Sequence, residues 1–133
     1  MILLDTHVAL WFTTDSSLLG KRSQRIADQA LSAGRLAVSA VSFWEIALLV
    51  AKHRLRSIDS AAKTRQLMLG AGLAELPLTG DIAILAVELE AIHGDPADRF
   101  IAATAIAHGA MLITADERLL RWRHRLRRHN AET

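Results

Sequence analysis

The sequence predicts an α/β sandwich, a small and mainly parallel sheet covered by helices. Three observations carry this. Ile2-Leu3-Leu4, Leu36-Ala37-Val38 and Met111-Leu112-Ile113 are short runs without a polar residue, the pattern of strands buried on both faces. Longer segments of helical periodicity lie between them, and alternating strands and helices imply parallel crossovers. A length of 133 residues, 51% hydrophobic and 23% charged, suits one ordered domain with a substantial core.

Taken in order, Ile2-Leu3-Leu4 is the first strand, followed by Asp5, Thr6 and a short helix through Val8, Leu10 and Trp11. Residues 13–20 read as loop. Arg22 to Ala33 is amphipathic, with Ile26, Ala30 and Leu31 on one side and Gly34 as its stop. After the second strand, Ser39 to about His53 is apolar nearly all round, which predicts a central helix. Asp59 to Gly70 is a further helix. Leu73 to Leu78 is weakly strand-like, and Pro77 places it at an end or edge. Asp81 to Glu90 is helical, with Asp81 read as a cap.

The stretch from His93 to Ala105 reads as a loop running into a helix. Asp95 is placed to cap it, Pro96 fits the first turn, and Asp98 sits above Ile101, Ala102 and Ala105 on the core-facing side. The third apolar strand precedes Thr114-Ala115-Asp116-Glu117 and a last helix. Residues 1–120 are expected to form one domain. Residues 121–133 form a basic segment, either part of that domain or a solvated tail. Across residues 118–128 lie Arg118, Arg121, Arg123, Arg125, Arg127 and Arg128, a charge pattern suited to phosphate or an acidic partner.

Composition excludes several chemistries. Without cysteine there are no disulfides and no cysteine-based zinc or nucleophile site. No apolar run approaches the roughly 18 residues of a membrane span. Asp5 interrupts the first apolar run and no basic stretch precedes it, unlike a signal peptide. A cytoplasmic location is therefore expected. The six histidines show no metal-ligand spacing.

Four acids remain: Asp5, Glu45, Asp98 and Asp116. Singly, each has a structural reading. Asp5 can cap a helix, Ser42-Phe43-Trp44-Glu45 and Thr114-Ala115-Asp116-Glu117 match capping boxes, and Asp98 suits the positive end of its helix. Together they point elsewhere. In a parallel α/β fold, strand carboxyl ends and the following helix starts share one rim. Asp5 and Asp116 follow strands, while Glu45 and Asp98 are read as lying in first helical turns, so all four can enter one crevice. Converging carboxylates repel unless a cation joins them. Oxygen ligands without sulfur or a histidine set suit Mg²⁺ or Mn²⁺. The matching chemistry is phosphodiester hydrolysis by metal-activated water.

At these residues the sequence resembles the PIN-domain family. Residues 1–7 (Met-Ile-Leu-Leu-Asp-Thr-His), 42–47 (Ser-Phe-Trp-Glu-Ile-Ala), 95–102 (Asp-Pro-Ala-Asp-Arg-Phe-Ile-Ala) and 112–116 (Leu-Ile-Thr-Ala-Asp) are similar to its signature blocks, in order. The nearest likeness is to VapC-like ribonuclease toxins of type II toxin–antitoxin systems. The resemblance implies a three-layer sandwich with about four to five strands, a Mg²⁺-dependent endoribonuclease and a homodimer neutralised by a cognate antitoxin, with tRNA or rRNA as substrate. By position, Asp5, Glu45, Asp98 and Asp116 form its acidic quartet. Asp5, Asp98 and Asp116 become metal ligands, and Thr114 and Thr6 become supporting hydroxyls. Arg99, Arg121, Trp122 and Arg123 are candidate RNA contacts, whereas Trp11 and Trp44 read as core or subunit-interface aromatics. The chain departs from such relatives at Leu49 and His53, where they often carry lysine and glycine, and the basic end does not suit their closing strand.

Two rival readings stay open. A small metal-dependent phosphatase is disfavoured because His7 stands where an Asp-x-Asp nucleophile pair needs its second acid. A non-catalytic nucleic-acid or partner-binding module would use the basic end and leave the acids as caps.

Overall fold

The computed structural model describes residues 1–55, 58, 60–90 and 94–133. Among these, β1 (Ile2–Leu4), β2 (Leu36–Ser39), β3 (Ala74–Leu76), β4 (Met111–Thr114) and β5 (Arg128–Asn130) make one sheet in the order β3-β2-β1-β4-β5. Every pairing is parallel. The helices are α1 (Thr6–Thr13), α2 (Lys21–Ser32), α3 (Ala40–Ala51), α4 (Ala61–Ala71), α5 (Gly80–Glu88), α6 (Pro96–His108) and α7 (Glu117–Arg121).

Leu3 pairs with Ala37 on one side and Leu112 on the other. Because successive strand residues face opposite ways, these three enter a core with α5, α6 and α7, while Leu4, Val38 and Ile113 enter a second core with α1 to α4. Two cores, one on each face, explain the wholly apolar central strands. The edge strands β3 and β5 are short and carry charge, which discourages pairing with other chains.

The sequence-predicted helices and strands recur with small boundary shifts. Asp59 and His93, at the predicted starts of two segments, lie outside the described residues. Ser60 caps α4, its hydroxyl accepting from Lys63 N at 3.2 Å.

Four expectations need correction. First, α3 is not central. Val41, Ser42 and Ile46 are buried, yet Trp44 and Leu48 are exposed. The helix packs against α1, α4, α6 and β2 on one side only, so a stripe of its apolar surface is covered and the rest is exposed. Second, neither capping box forms. Ser39 caps α3, accepting from Val41 N at 3.1 Å, because β2 runs directly into the helix. Asp116, not Thr114, caps α7. Third, Thr79 rather than Asp81 caps α5, and Asp81 sits inside the first turn.

Fourth, the basic end is no tail. β5 pairs with β4, and the chain then docks on the start of α2, where Gly20 N donates to Ala131 O at 2.8 Å and Arg22 N to Thr133 O at 3.0 Å. A Cβ at Gly20 would lie 2.3 Å from a backbone carbon of Thr133, so only glycine admits this approach. The polar sequence of β5, Arg128-His129-Asn130, is tolerated because it is an edge strand with half-buried side chains.

Candidate active site

The site lies on the rim formed by the strands' carboxyl ends. Asp5 leaves β1 and caps α1, its Oδ1 accepting from Thr6 N at 2.9 Å. Its main-chain N donates to Ile113 O at 3.0 Å, and its Oδ2 accepts from the Thr114 hydroxyl at 2.6 Å. Asp5 is thus fixed by the strand beside it. Thr114 is fully buried, and having spent its proton on Asp5 it accepts from Asp116 N at 3.0 Å. One hydroxyl therefore joins two of the four acids.

Thr6 does similar work on the other side. Its buried hydroxyl lies 2.5 Å from Glu45 Oε1 and 2.9 Å from Ser42 Oγ. A hydroxyl has one proton, and the carboxylate is the stronger acceptor, so the contact to Ser42 is the one that Thr6 can make through its oxygen. Glu45 lies in the second turn of α3, not the first, since the helix starts at Ala40.

Asp98 stands at the third position of α6, below the Asp95 cap, whose Oδ1 accepts from Ala97 N at 3.0 Å. Ile101, Ala102 and Ala105 below it are fully buried, so the face that carries Asp98 does point into the core. Asp116 Oδ1 accepts from Arg118 N at 2.8 Å and lies 3.7 Å from Arg118 Nε.

Burial pushes the Asp98 carboxyl up to about 8, and the charges of Asp5, Asp95, Asp116 and Glu45 add to the rise. Burial also raises Asp5, against the lowering effect of the Thr114 hydroxyl. Glu45 is raised by burial too, tempered by Thr6. Asp98, buried among acids, is the group most in need of a cation. Among the described residues, no group of three or more histidine or acidic side chains already forms a metal site. The donor chemistry nevertheless fits Mg²⁺, which keeps several waters and takes few carboxylates directly.

The crevice encloses about 360 Å³, and Asp5, Thr6, Glu45, Asp98 and Asp116 all line it. The candidate RNA contacts fare differently. Arg99 Nη1 donates to the carbonyls of Ala86 and Leu89, at 3.0 and 3.1 Å, at the end of α5. Arg121 is exposed and pairs with Glu117 at 3.3 Å, and Arg123 is exposed. None of these three lines the crevice. Trp122 is buried, donates from Nε1 to Glu90 O at 2.9 Å and stacks on His124. The expectation that it offers an open stacking surface is therefore corrected: its neighbours Leu119 and Leu126 draw it into the core. Sequence reasoning places His7 near the site without a role, but it misses Trp11 as a lining residue and reads Arg118 only as part of the basic end. The i,i+4 spacing of His7 and Trp11 after Asp5, and the position of Arg118 two residues after Asp116, were the available signals.

Comparison with known proteins agrees with this geometry. The family model described as PIN domain matches residues 2–124. Ribonuclease VapC22 of Mycobacterium tuberculosis is 38% identical over 125 residues, 92% of each chain. Among solved structures, VapBC2 from Rickettsia felis bound to a promoter DNA fragment superposes with a TM-score of 0.70 at 18% identity over 98% of both chains. The DNA-bound VapBC of Salmonella typhimurium gives 0.68 at 18% identity over 96% of both. At such identities these two establish the fold.

Proposed function

Because this chain belongs to the PIN domain family, we propose that it is a VapC-type ribonuclease, the toxin of a toxin–antitoxin pair, hydrolysing RNA phosphodiester bonds with Mg²⁺. The observation that carries the reading is Asp98, buried in the crevice beside Asp5, Glu45, Asp95 and Asp116 with its carboxyl raised to about 8. A structural acid does not need that environment, whereas a cation site does.

Asp5, Asp98 and Asp116 would hold the ion, with Mn²⁺ as a substitute of similar preference. When bound, the metal supplies charge stabilisation for the phosphoryl oxygens and a more acidic water. The chain's own residues do the rest. Thr114 holds Asp5 and the start of α7 in fixed relation through its two hydrogen bonds. Thr6 aims Glu45. Glu45, with its raised carboxyl, is suited to take a proton from the attacking water at Oε2, since Oε1 is engaged by Thr6.

The partners follow from the same reading: tRNA or rRNA as substrate, a cognate antitoxin protein and a second copy of the chain. Exposed Trp44, Leu48, Leu78, Ile84 and Val87 supply apolar area for protein contacts. No helix among the described residues is long and apolar enough to cross a membrane. A cytoplasmic place of action accords with the RNA substrate.

The test is to express wild type and Asp98→Ala from a tightly controlled promoter and to incubate both purified proteins with total RNA, with Mg²⁺ or with EDTA. Growth arrest and discrete fragments from wild type with Mg²⁺ alone are expected, with cleavage by Asp98→Ala reduced at least about 1,000-fold. Equal cleavage by both proteins would overturn the site assignment.

A further inference from the structure

We propose that the crevice contains two substrate-positioning residues beyond the acids: Trp11, whose indole stacks on a base next to the scissile phosphate, and Arg118, which holds a neighbouring phosphate. The proposal rests on the ribonuclease reading.

Hydrolysis as derived above needs carboxylates, a cation and water. It has no use for an indole, yet Trp11 lines the crevice with Asp5 and Asp98. The local chain explains why. α1 begins at the residue after Asp5, so positions 7 and 11 lie four apart on one stripe directly below the acid. Exposed His7 and half-buried Trp11 therefore form one wall. Trp11 also packs against the apolar cluster under α1, which holds the ring in place and lowers the entropy lost on stacking. Every base presents a π-face, so such a wall grips an unpaired nucleotide whatever its sequence.

Arg118 comes from the other side of the sheet, on α7 after β4. Its side chain is 66% exposed, and its Nε lies 3.7 Å from Asp116 Oδ1, beyond hydrogen-bond length. Among the described residues it is the only arginine or lysine lining the crevice. An RNA backbone entering a pocket of acids must offset its own repulsion, and a guanidinium that reaches a phosphate bidentately does so. The wall for the base and the arm for the phosphate thus flank the acids. A base can reach the wall only if it is out of a duplex.

The experiment uses full-length protein and a short single-stranded RNA carrying 2-aminopurine next to the cleavage position, with the same RNA annealed to its complement as control. In Ca²⁺, to slow cleavage, wild type should quench the fluorophore on the single strand and not on the duplex. Trp11→Leu should raise KM by about 10- to 100-fold and abolish quenching, while Trp11→Phe retains most of both. Arg118→Gln should raise KM and lower the salt slope of binding by about one. If wild type cleaves RNA but does not quench, or if folded Trp11→Leu keeps the wild-type KM, the stacking role is wrong while the ribonuclease reading stands. If Arg118→Gln leaves the salt slope unchanged, the phosphate role is wrong. If wild type cleaves no RNA under any condition, the underlying reading fails, and this proposal with it.

Discussion

The helices α3 and α6 each deliver one acid to the crevice, and they do so in opposite ways. α6 announces itself: Asp95 caps it, Pro96 opens it, and Asp98 tops a face of small residues that is buried throughout. Its acid is held near neutral form by burial and by the charges around it. α3 carries more hydrophobic residues yet buries fewer of them, and its acid sits a turn further in. Glu45 is positioned by a hydroxyl from another helix, Thr6. The helices also end differently. Past α6, Gly109 takes the left-handed conformation at φ 60°, and past α3 the same conformation falls to His53 at φ 53°. The extent of burial, not hydrophobic content, thus separates the two helices.

The largest effect that tests this contrast is on Asp98. Its carboxyl has a folded value of about 8 against a reference value of 3.8. Between those values the folded state holds a proton that the unfolded state has lost, so this group makes the metal-free protein less stable as pH rises toward 8. Asp98→Asn should flatten that dependence and raise Tm at pH 8.5 by about 5 °C. Mg²⁺ should raise the Tm of wild type at that pH and leave the variant nearly unchanged. Calorimetry of both proteins at pH 5 and 8.5 checks this, and identical pH profiles would remove the basis for the cation site.

A smaller effect belongs to α3. Thr6→Val deletes the hydroxyl that lowers the Glu45 carboxyl, so Glu45 should titrate higher still. The acid limb of the pH–rate profile should move up, and the rate at pH 7 should fall by about 10-fold. Asp98, whose carboxyl is raised chiefly by burial, should largely keep its own pH dependence of stability. A profile that falls without shifting would mean that Thr6 only packs.

The smallest concerns the end of α3. His53→Gly relieves a left-handed backbone that side chains with a Cβ resist, and it should stabilise the fold by about 0.5–1 kcal/mol. Urea midpoints of the two proteins measure it. Destabilisation would show that the histidine side chain makes a contact worth more than the strain.

Much of this was legible beforehand. The parallel sheet followed from three apolar triplets, because only strands covered on both faces can be apolar throughout. The geometry of Asp98 followed from the cap, the proline and the spacing of three and four. Edge placement of β3 followed from Pro77. The caps of α3, α5 and α7 were misread because several residues with the right chemistry stand within a few positions, and only the point where the strand stops selects among them.

The sequence by itself determined the periodicities, the supply of four acids without sulfur, and the order of strands and helices along the chain. These depend on local spacing, which the backbone reads within one or two turns. Tertiary structure alone decided the rest. It drew Trp122 into the core and left Trp11 on the crevice wall, it covered only one stripe of α3, and it turned an arginine-rich end into an edge strand. The composition of each segment was fixed, but exposure depends on which surfaces meet, and those surfaces are brought together only by contacts between residues distant along the chain.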